Sequence, residues 1–379
     1  MNQIRLQHYD SVSAIDPLQW RQLEALSGFS SFGWLKTVES HAIGSYAPRY
    51  IVAYCQETPV GAVILDLVND VDRENGIVRR VFGGRRLLRH IFGKSLVPNL
   101  VAGTPFGYGG QFLVDASNGR EQNNYVIREL LLAAEKLSAT LGAPLWFSNV
   151  LATDALLIDI LRDAGYLSSR YLPLAELAID WGSFDDYVAM LKKQHKNVAK
   201  DIRRERNRCR SAGILLEEPT ELADRDGIYV QLANQTYGKH GDLAFPFNAG
   251  FFSALKNELG EDFLVCEAQK DGKTLGFVTM ISDGRSAWAG SYGLDYSDSA
   301  SAFVYFNLVL QWPVRKAIEL GLERLVLGRG HYELKLRRGC RLSDTYFFHK
   351  PLRGLSKPIY NGLFLVLDRH YTKQVSSNS

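Results

Sequence analysis

Long apolar runs are missing from these 379 residues. None approaches the roughly 20 residues that a membrane-spanning helix needs. The first ten residues, Met1 to Asp10, alternate polar and apolar and hold no signal-peptide core, so a cytoplasmic protein is expected. Cysteine is scarce: Cys55, Cys209, Cys266 and Cys340 stand singly, with no C-x-x-C pair. That spacing suggests neither a zinc site nor a disulfide framework, and predicts four reduced thiols and no bound metal. Three enzyme signatures are also absent: the G-x-S-x-G elbow, H-E-x-x-H and the Walker loop. No helix-turn-helix or zinc finger is legible, which argues against sequence-specific DNA reading.

What is present suits a folded two-domain chain. Apolar residues make up 46% and charged residues 22%, enough for a substantial core. At roughly 100–200 residues per domain, two domains are expected. The 19 Phe, 18 Tyr and 6 Trp favour β-rich structure and ring-lined pockets over disorder.

One plan is written twice. In the N-terminal half, residues 50–54 (YIVAY), a polar turn and residues 60–68 (VGAVILDLV) predict a hairpin. Residues 70–110, rich in Arg and Gly, read as loops with one short helix. Residues 111–115 (QFLVD) form a strand. Ile127, Leu130, Leu131, Ala134, Leu137 and Leu141 recur at helical spacing, stopped by Gly142. A buried strand, 144–150, follows. Asp154 then caps a second helix, and residues 174–179 make a last strand. The C-terminal half repeats the order. It has strands at 262–269, 274–282 and 286–294, joined by turns at 270–273 and 283–284, then an apolar helix over 303–320 stopped by Gly321. A buried strand at 324–327, a short segment at 331–339 and a closing strand at 345–349 complete it. Pro313 must kink or split the long helix. The boundary is expected near Asp180, with domains at 1–180 and 181–371 and a disordered tail at 372–379. Ser183-x-x-Asp186 reads as a capping box opening the next helix.

Charge is nearly balanced at +3, but it is unevenly placed. Residues 192–210 (KKQHKNVAKDIRRERNRCR) carry nine Lys/Arg against Asp201 and Glu205, a local +7. Phe184, Val188, Leu191, His195, Val198, Ile202, Glu205 and Cys209 alternate by four and three, one narrow stripe on a single long helix. His195 then reads as a packed histidine. The exposed arginines attract phosphates or polyanions. The alternative is a solvated face whose Lys and Arg stems cover apolar neighbours.

Three segments look like sites. Residues 327–340 (LGRGHYELKLRRGC) open a buried strand into a cationic loop, the usual place for a ligand in α/β structure. There Arg329 can grip an anion, Gly330 admits close backbone approach, and Lys335 between two leucines is placed to stabilise an oxyanion. Residues 234–247 (NQTYGKHGDLAFPF) read as a lid or acceptor loop with Tyr237, and with His240 as a general base. Residues 29–39 (FSSFGWLKTVE) read as a helix start with Trp34 inward and Lys36 outward. Ordinary charged loops would look the same at the first two places.

The pattern from Phe184 to Leu352 resembles the BioF2-like (CelD/FemAB-type) acyltransferases of the GNAT superfamily. It rests on the basic helix ending in Gly213, the 237–241 stretch, the Gly272 hairpin, the helix ending in Gly321, and GRGHYELKLRRG. Gly33-Trp34-Leu35-Lys36 is also similar to the G-W-x-K of FemX-type peptidoglycan bridge enzymes. The resemblance implies an α+β fold of two GNAT-like domains, each a mixed, mostly antiparallel sheet flanked by helices, with the active cleft between them. It implies an N-acyltransferase in which an amine attacks an activated acyl carbonyl. Lys335, Tyr332 and His240 would be catalytic. Arg329, Gly330, Ser291, Tyr292, Arg203 and Arg204 would bind the donor; Lys36, Trp34 and Tyr237 would bind a small-molecule or peptide acceptor. No cofactor is held permanently; acyl-CoA is the leading co-substrate and aminoacyl-tRNA the alternative. A non-catalytic polyanion binder is the alternative of another class. The R/Q-x-x-G-x-G/A loop of ordinary GNAT enzymes is absent: residues 295–302 read DYSDSASA.

Overall fold

The computed structural model describes residues 3–23, 28–44, 46–70, 97–115, 117–239, 244–298, 301–350 and Gly362. Most of the Arg/Gly-rich stretch (71–96), His240 and the polar tail (372–379) lie outside the described residues. The chain forms two compact units. Met1–Leu172 with Asp344–Ser377 make the first, and Pro173–Ser343 with Asn378–Ser379 the second.

The first unit runs β1 (Ile4–Tyr9), α1 (Pro17–Arg21), α2 (Phe32–His41), β2 (Pro48–Cys55), β3 (Thr58–Val68), β4 (Asn99–Ala102), β5 (Phe112–Val114), α3 (Arg120–Leu141), β6 (Leu145–Leu151) and α4 (Ala155–Asp163). Strand β4 falls at the end of the stretch expected to be loops. Strands β1, β2, β3 and β4 pair antiparallel in sequence, β5 adds to β3, and β4 pairs parallel with β6. The heptad-like apolar positions Val126, Ile127, Leu130, Leu131 and Ala134 of α3 pack on Val63, Leu65, Leu100 and Phe147 of the sheet. Gly142 ends α3 in the left-handed region, at φ 62°. The Asp154 carboxylate accepts from the Leu157 amide to cap α4.

β7 (Leu167–Ala178) leads into the second unit. There follow α5 (Phe184–Gln194), α6 (Lys196–Ser211), β8 (Leu215–Glu217), α7 (Asp226–Lys239), α8 (Phe251–Leu259), and the meander β9 (Phe263–Lys270), β10 (Lys273–Ser282) and β11 (Ser286–Leu294). α9 (Ser301–Tyr305), a π-helical turn at Phe306–Gln311, α10 (Trp312–Glu319), β12 (Arg324–Gly328), α11 (Tyr332–Leu336) and β13 (Arg341–His349) complete it. β8 to β11 pair antiparallel, and β11 pairs parallel with β12. Each unit thus has an antiparallel meander followed by one parallel pair across a helix, the repetition visible in the sequence.

Four expectations are corrected. The division falls at Leu172, inside β7, not near Asp180. The two closing strands are exchanged: Ala175–Ala178 of β7 pair with β12 of the second unit, while Thr345–His349 of β13 pair with β6 of the first. Both are short, mostly buried segments, and nothing local assigns either one to a particular sheet. The single basic helix is two. It breaks at His195 (φ −142°), which is exposed rather than packed. No apolar residue lies between Leu191 and Val198, so nothing pins the chain to the core there. Finally, residues 234–239 belong to α7 rather than to a loop, because Tyr229, Leu232, Ala233 and Thr236 bury one helical face. Pro313 acts as expected. The π turn precedes it and places it in the first turn of α10, where no donor is needed.

Candidate active site

The geometry of interest lies in the second unit, where its parallel strands part. β11 and β12 pair only at Ser286↔Arg324, Ala287↔Leu325 and Trp288↔Val326. Beyond Trp288, β11 stays with β10 as far as Leu294. β12 instead shifts its register against β7, reaching Gly328↔Ala175. Such a divergence at the carboxyl ends of strands is where open sheets place ligands. Three rings meet there: Tyr292 of β11, Tyr305 at the end of α9 and His331 after β12. Their centroids lie 5.9 Å (Tyr292–Tyr305) and 5.6 Å (Tyr305–His331) apart. Burial pushes the Tyr292 phenol up to about 12. Burial and the nearby Tyr292 push Tyr305 higher still, against the opposing pull of Arg338. Both phenols are therefore protonated at neutral pH and can donate hydrogen bonds.

The loop after β12 is sharply bent. Gly328 (φ 69°), Gly330 (φ 76°) and His331 (φ 50°) are all left-handed. For a non-glycine residue this costs on the order of 1–3 kcal/mol and persists only when the surroundings impose it. Lys335 imposes it. Its Nζ donates to the carbonyls of Leu327 (2.7 Å), Gly328 (3.3 Å) and Arg329 (3.0 Å). An ammonium has three donors, and all three are engaged. Burial lowers the pKa of this lysine to about 8, opposed by the neighbouring Cys340. Lys335 therefore holds the loop, which differs from the oxyanion role expected of it. Tyr332 is likewise an anchor, buried with its hydroxyl donating to the Pro173 carbonyl at 3.0 Å. Arg329 and Gly330 are half-buried on the loop itself.

The strand end is stapled to α7. The Leu294 amide donates to Thr236 Oγ1 (3.1 Å) and the Tyr296 amide to Gln235 Oε1 (3.3 Å). Gly293 is required there: a Cβ would lie 2.5 Å from the Ala233 nitrogen. On α7, Tyr237 is half-buried and meets Phe245 edge-on at 5.6 Å. Ser291 of β11 accepts at its carbonyl from Thr279 Oγ1.

At the junction after β11, where ordinary GNAT enzymes would cradle a pyrophosphate, the amides of residues 295–298 are all engaged. The Asp295 amide donates to Leu275, that of Tyr296 to Gln235, that of Ser297 to the Asp295 carboxylate, and that of Asp298 to the Asp295 carbonyl. Lys273 pairs with Asp295 at 2.6 Å, and hydrogen bonds from Lys273 and Ser297 hold that carboxyl below its ordinary range. On α6, by contrast, Arg203 and Arg204 are exposed. With Lys200, Asn207, Arg208 and Ser211 they line a shallow groove of about 320 Å³.

In the first unit Trp34 is buried. Its indole donates to the Pro105 carbonyl (3.2 Å), and its ring meets Phe29 at 4.9 Å. Lys36, two residues on, is half-buried. The glycine cluster 103–110 explains this packing. Thr104 donates through both its amide and its hydroxyl to the Gly109 carbonyl, and Gly107 lies so close to Phe29 that a Cβ would be 2.6 Å away. Ser31 caps α2 by accepting from the Trp34 amide.

Of the residues expected at the site, Arg329, Gly330, Tyr332, Lys335, Ser291, Tyr292, Tyr237, Arg203 and Arg204 belong to the second unit, and Trp34 and Lys36 to the first. Tyr305 and His331 were missed. The aromatic density of the helix after β11 was the signal for Tyr305, and the glycine-rich 327–340 segment was the signal for His331. Among the described residues no helix is long and apolar enough to cross a membrane, and no cluster of His, Cys, Asp and Glu could hold a metal.

Known structures share this architecture. FemX matches over 94% of this chain and 100% of its own, with 12% identity and a TM-score of 0.58. The C-terminal domain of an assigned lysylphosphatidylglycerol synthetase from Agrobacterium fabrum matches over 95% and 97%, with 12% identity and a TM-score of 0.56. A conserved protein of unknown function from Bacteroides thetaiotaomicron matches over 92% and 100%, with 11% identity and a TM-score of 0.53. No curated protein matches the chain significantly. The class is thus an α+β protein with the fold of FemX. More particularly, the chain belongs to the FemAB-like family, described as peptidoglycan biosynthesis/recognition, whose model matches residues 11–361.

Proposed function

We propose that the protein transfers an aminoacyl group from a charged tRNA to the amine of a cell-wall precursor peptide, forming an amide where β11 and β12 part. The observation that carries this reading is the chain of Tyr292, Tyr305 and His331 at that parting. The neutral amine nitrogen attacks the ester carbonyl carbon, and a C–N bond forms as negative charge moves to the carbonyl oxygen. The protonated phenols of Tyr292 and Tyr305 donate to that oxyanion. The His331 imidazole takes the proton the nitrogen sheds and returns one to the departing ribose oxygen, which leaves with the electron pair of the C–O bond. Lys335 and Tyr332 keep the loop bearing His331 in place.

The contrast between the junction and α6 supports this choice of donor. Four successive amides at 295–298 are engaged, beside the Asp295 and Asp298 carboxylates. That arrangement opposes the coenzyme A pyrophosphate expected at first. The open Lys200–Ser211 groove suits a polynucleotide backbone.

The test offers charged tRNA and acyl-CoA separately, with a precursor peptide, and reads amide product by mass spectrometry. Product from tRNA alone is expected. Product from acyl-CoA alone reverses the choice of donor, and no product from either ends the transfer reading. Tyr305→Phe is expected to lower kcat about 100-fold with little change in KM, the loss typical of one oxyanion donor.

A further inference from the structure

A second, more enclosed cavity lies beside the helix that carries Tyr305 and the π turn that follows it. It encloses about 200 Å³ and is lined by Asp201, Arg204, Glu205 and Arg208 of α6, Phe303 and Phe306, and Leu334, Arg337 and Arg338 by α11, with Val198 at its edge. Tyr305, which contacts Tyr292 and His331, also meets the Phe306 ring edge-on at 5.6 Å, while Phe303 and Phe306 sit under guanidinium groups. Arg208 lies 4.6 Å above the Phe303 ring and Arg338 5.5 Å above that of Phe306.

The wall is built rather than incidental. Arg338 and Glu205 are both buried, with side chains 5% and 8% exposed, and pair at 2.9 Å. Gln311 of the π turn donates to the same carboxylate at 2.8 Å, and Asn307 donates to the Glu205 carbonyl at 3.1 Å. The wider π turn is what brings Asn307 and Gln311 inward together. Arg338 is also held by the Leu334 carbonyl, yet its Nε–H has no acceptor among the described residues. A buried guanidinium N–H without an acceptor is costly unless a ligand supplies one.

Charge identifies the ligand. Four arginines and two acids line the cavity, a balance of +2. Asp201 is already paired with Arg204 at 3.1 Å, and Glu205 with Arg338. Arg208 and Arg337 remain at the rim. A phosphomonoester carries about −1.5 to −2 near neutral pH, whereas a phosphodiester or carboxylate carries one charge. The phenyl walls leave room for an apolar or flat group beside the phosphate.

We infer that the cavity formed by α6, the π turn and α11 is a binding site for a phosphomonoester dianion, received by Arg208, Arg337 and the buried Nε of Arg338. The phosphate could belong to a small phosphorylated ligand or to a nucleotide with a terminal phosphate; the two share this chemistry. The cavity shares Arg204 and Arg208 with the α6 groove but takes Arg337 and Arg338 from beyond it, so Arg337 is the residue that tests this site apart from the groove.

The test is calorimetric titration of the full-length protein at low salt with inorganic phosphate, with adenosine 3′,5′-bisphosphate, and with an oligonucleotide lacking terminal phosphates. Binding of the first two in mutual competition is expected. Arg337→Ala, an exposed change that should leave the melting temperature intact, is expected to weaken both about tenfold. Arg285→Ala, on the exposed pair with Glu323 and in neither groove, is expected to leave phosphate binding unaltered. Phe306→Ala weakening only the bisphosphate would assign the source as a nucleotide; equal affinity of phosphate and bisphosphate would assign it as a small phosphorylated ligand. No binding by the wild type, wild-type affinity in Arg337→Ala, or displacement of phosphate by the oligonucleotide would overturn the inference. Amide formation is read independently in the transfer assay.

Discussion

Lys335 and Arg338 lie three positions apart, at α11 and just beyond it, and both are buried. Toward β12, the lysine gives all three donors to backbone carbonyls. Toward α6, the arginine gives part of its fork to Glu205, stacks over Phe306 and lines an open volume with one N–H to spare. The compact ammonium suits three converging carbonyls, and the planar fork suits an acid on one edge and a ligand on another. A buried cation is therefore not in itself a catalytic group; what its donors already hold decides its role.

Substitutions can break that contrast. The largest effect is expected from Glu205→Ala, which leaves Arg338 as an unpaired buried charge and deprives Gln311 of its acceptor; it should cost about 3–5 kcal/mol by denaturant unfolding. Lys335→Met comes next. It keeps the bulk but strands three carbonyls, at about 1–3 kcal/mol. Its pH dependence separates it from the first. The folded pKa of Lys335 is about 8 against an ordinary 10.5, so between these values the unfolded chain binds more protons. The wild type should then gain stability relative to Lys335→Met as pH rises from about 8 to 10.5. A flat difference across that window would mean the lysine is not desolvated. Tyr187→Phe removes the hydroxyl that donates to the Arg338 carbonyl at 2.8 Å and is expected to cost about 1 kcal/mol. Arg285→Ala, which breaks the exposed pair with Glu323, should leave the melting temperature unchanged.

Much of the local structure was legible. The β2–β3 and β9–β10 hairpins, the stop of α3 at Gly142, the caps at Asp154 and Ser183, and the disruption at Pro313 all follow from short-range chemistry. The loop around Arg329 and the arginine surface of α6 were also visible, because charge and glycine spacing survive without a fold. What could not be read depended on long-range partners. Nothing local says that Lys335 turns back on β12 rather than outward, or that Glu205 meets Arg338 across 133 positions. The apolar stripe over 184–209 fits one helix as well as two, since its period continues through the break at His195. Tyr305 sits in a run of aromatic and apolar residues where packing and function look alike.

The exchanged closing strands bear on biosynthesis. Thr345–His349 complete the sheet of the first unit, yet a ribosome makes them only after the whole second unit. At about 5–20 residues per second, β6 waits on the order of ten seconds or more for its neighbour. Until then its edge is exposed to nascent chains of the same kind, so chaperone shielding during translation should matter more for the early part of this polypeptide than for the late part.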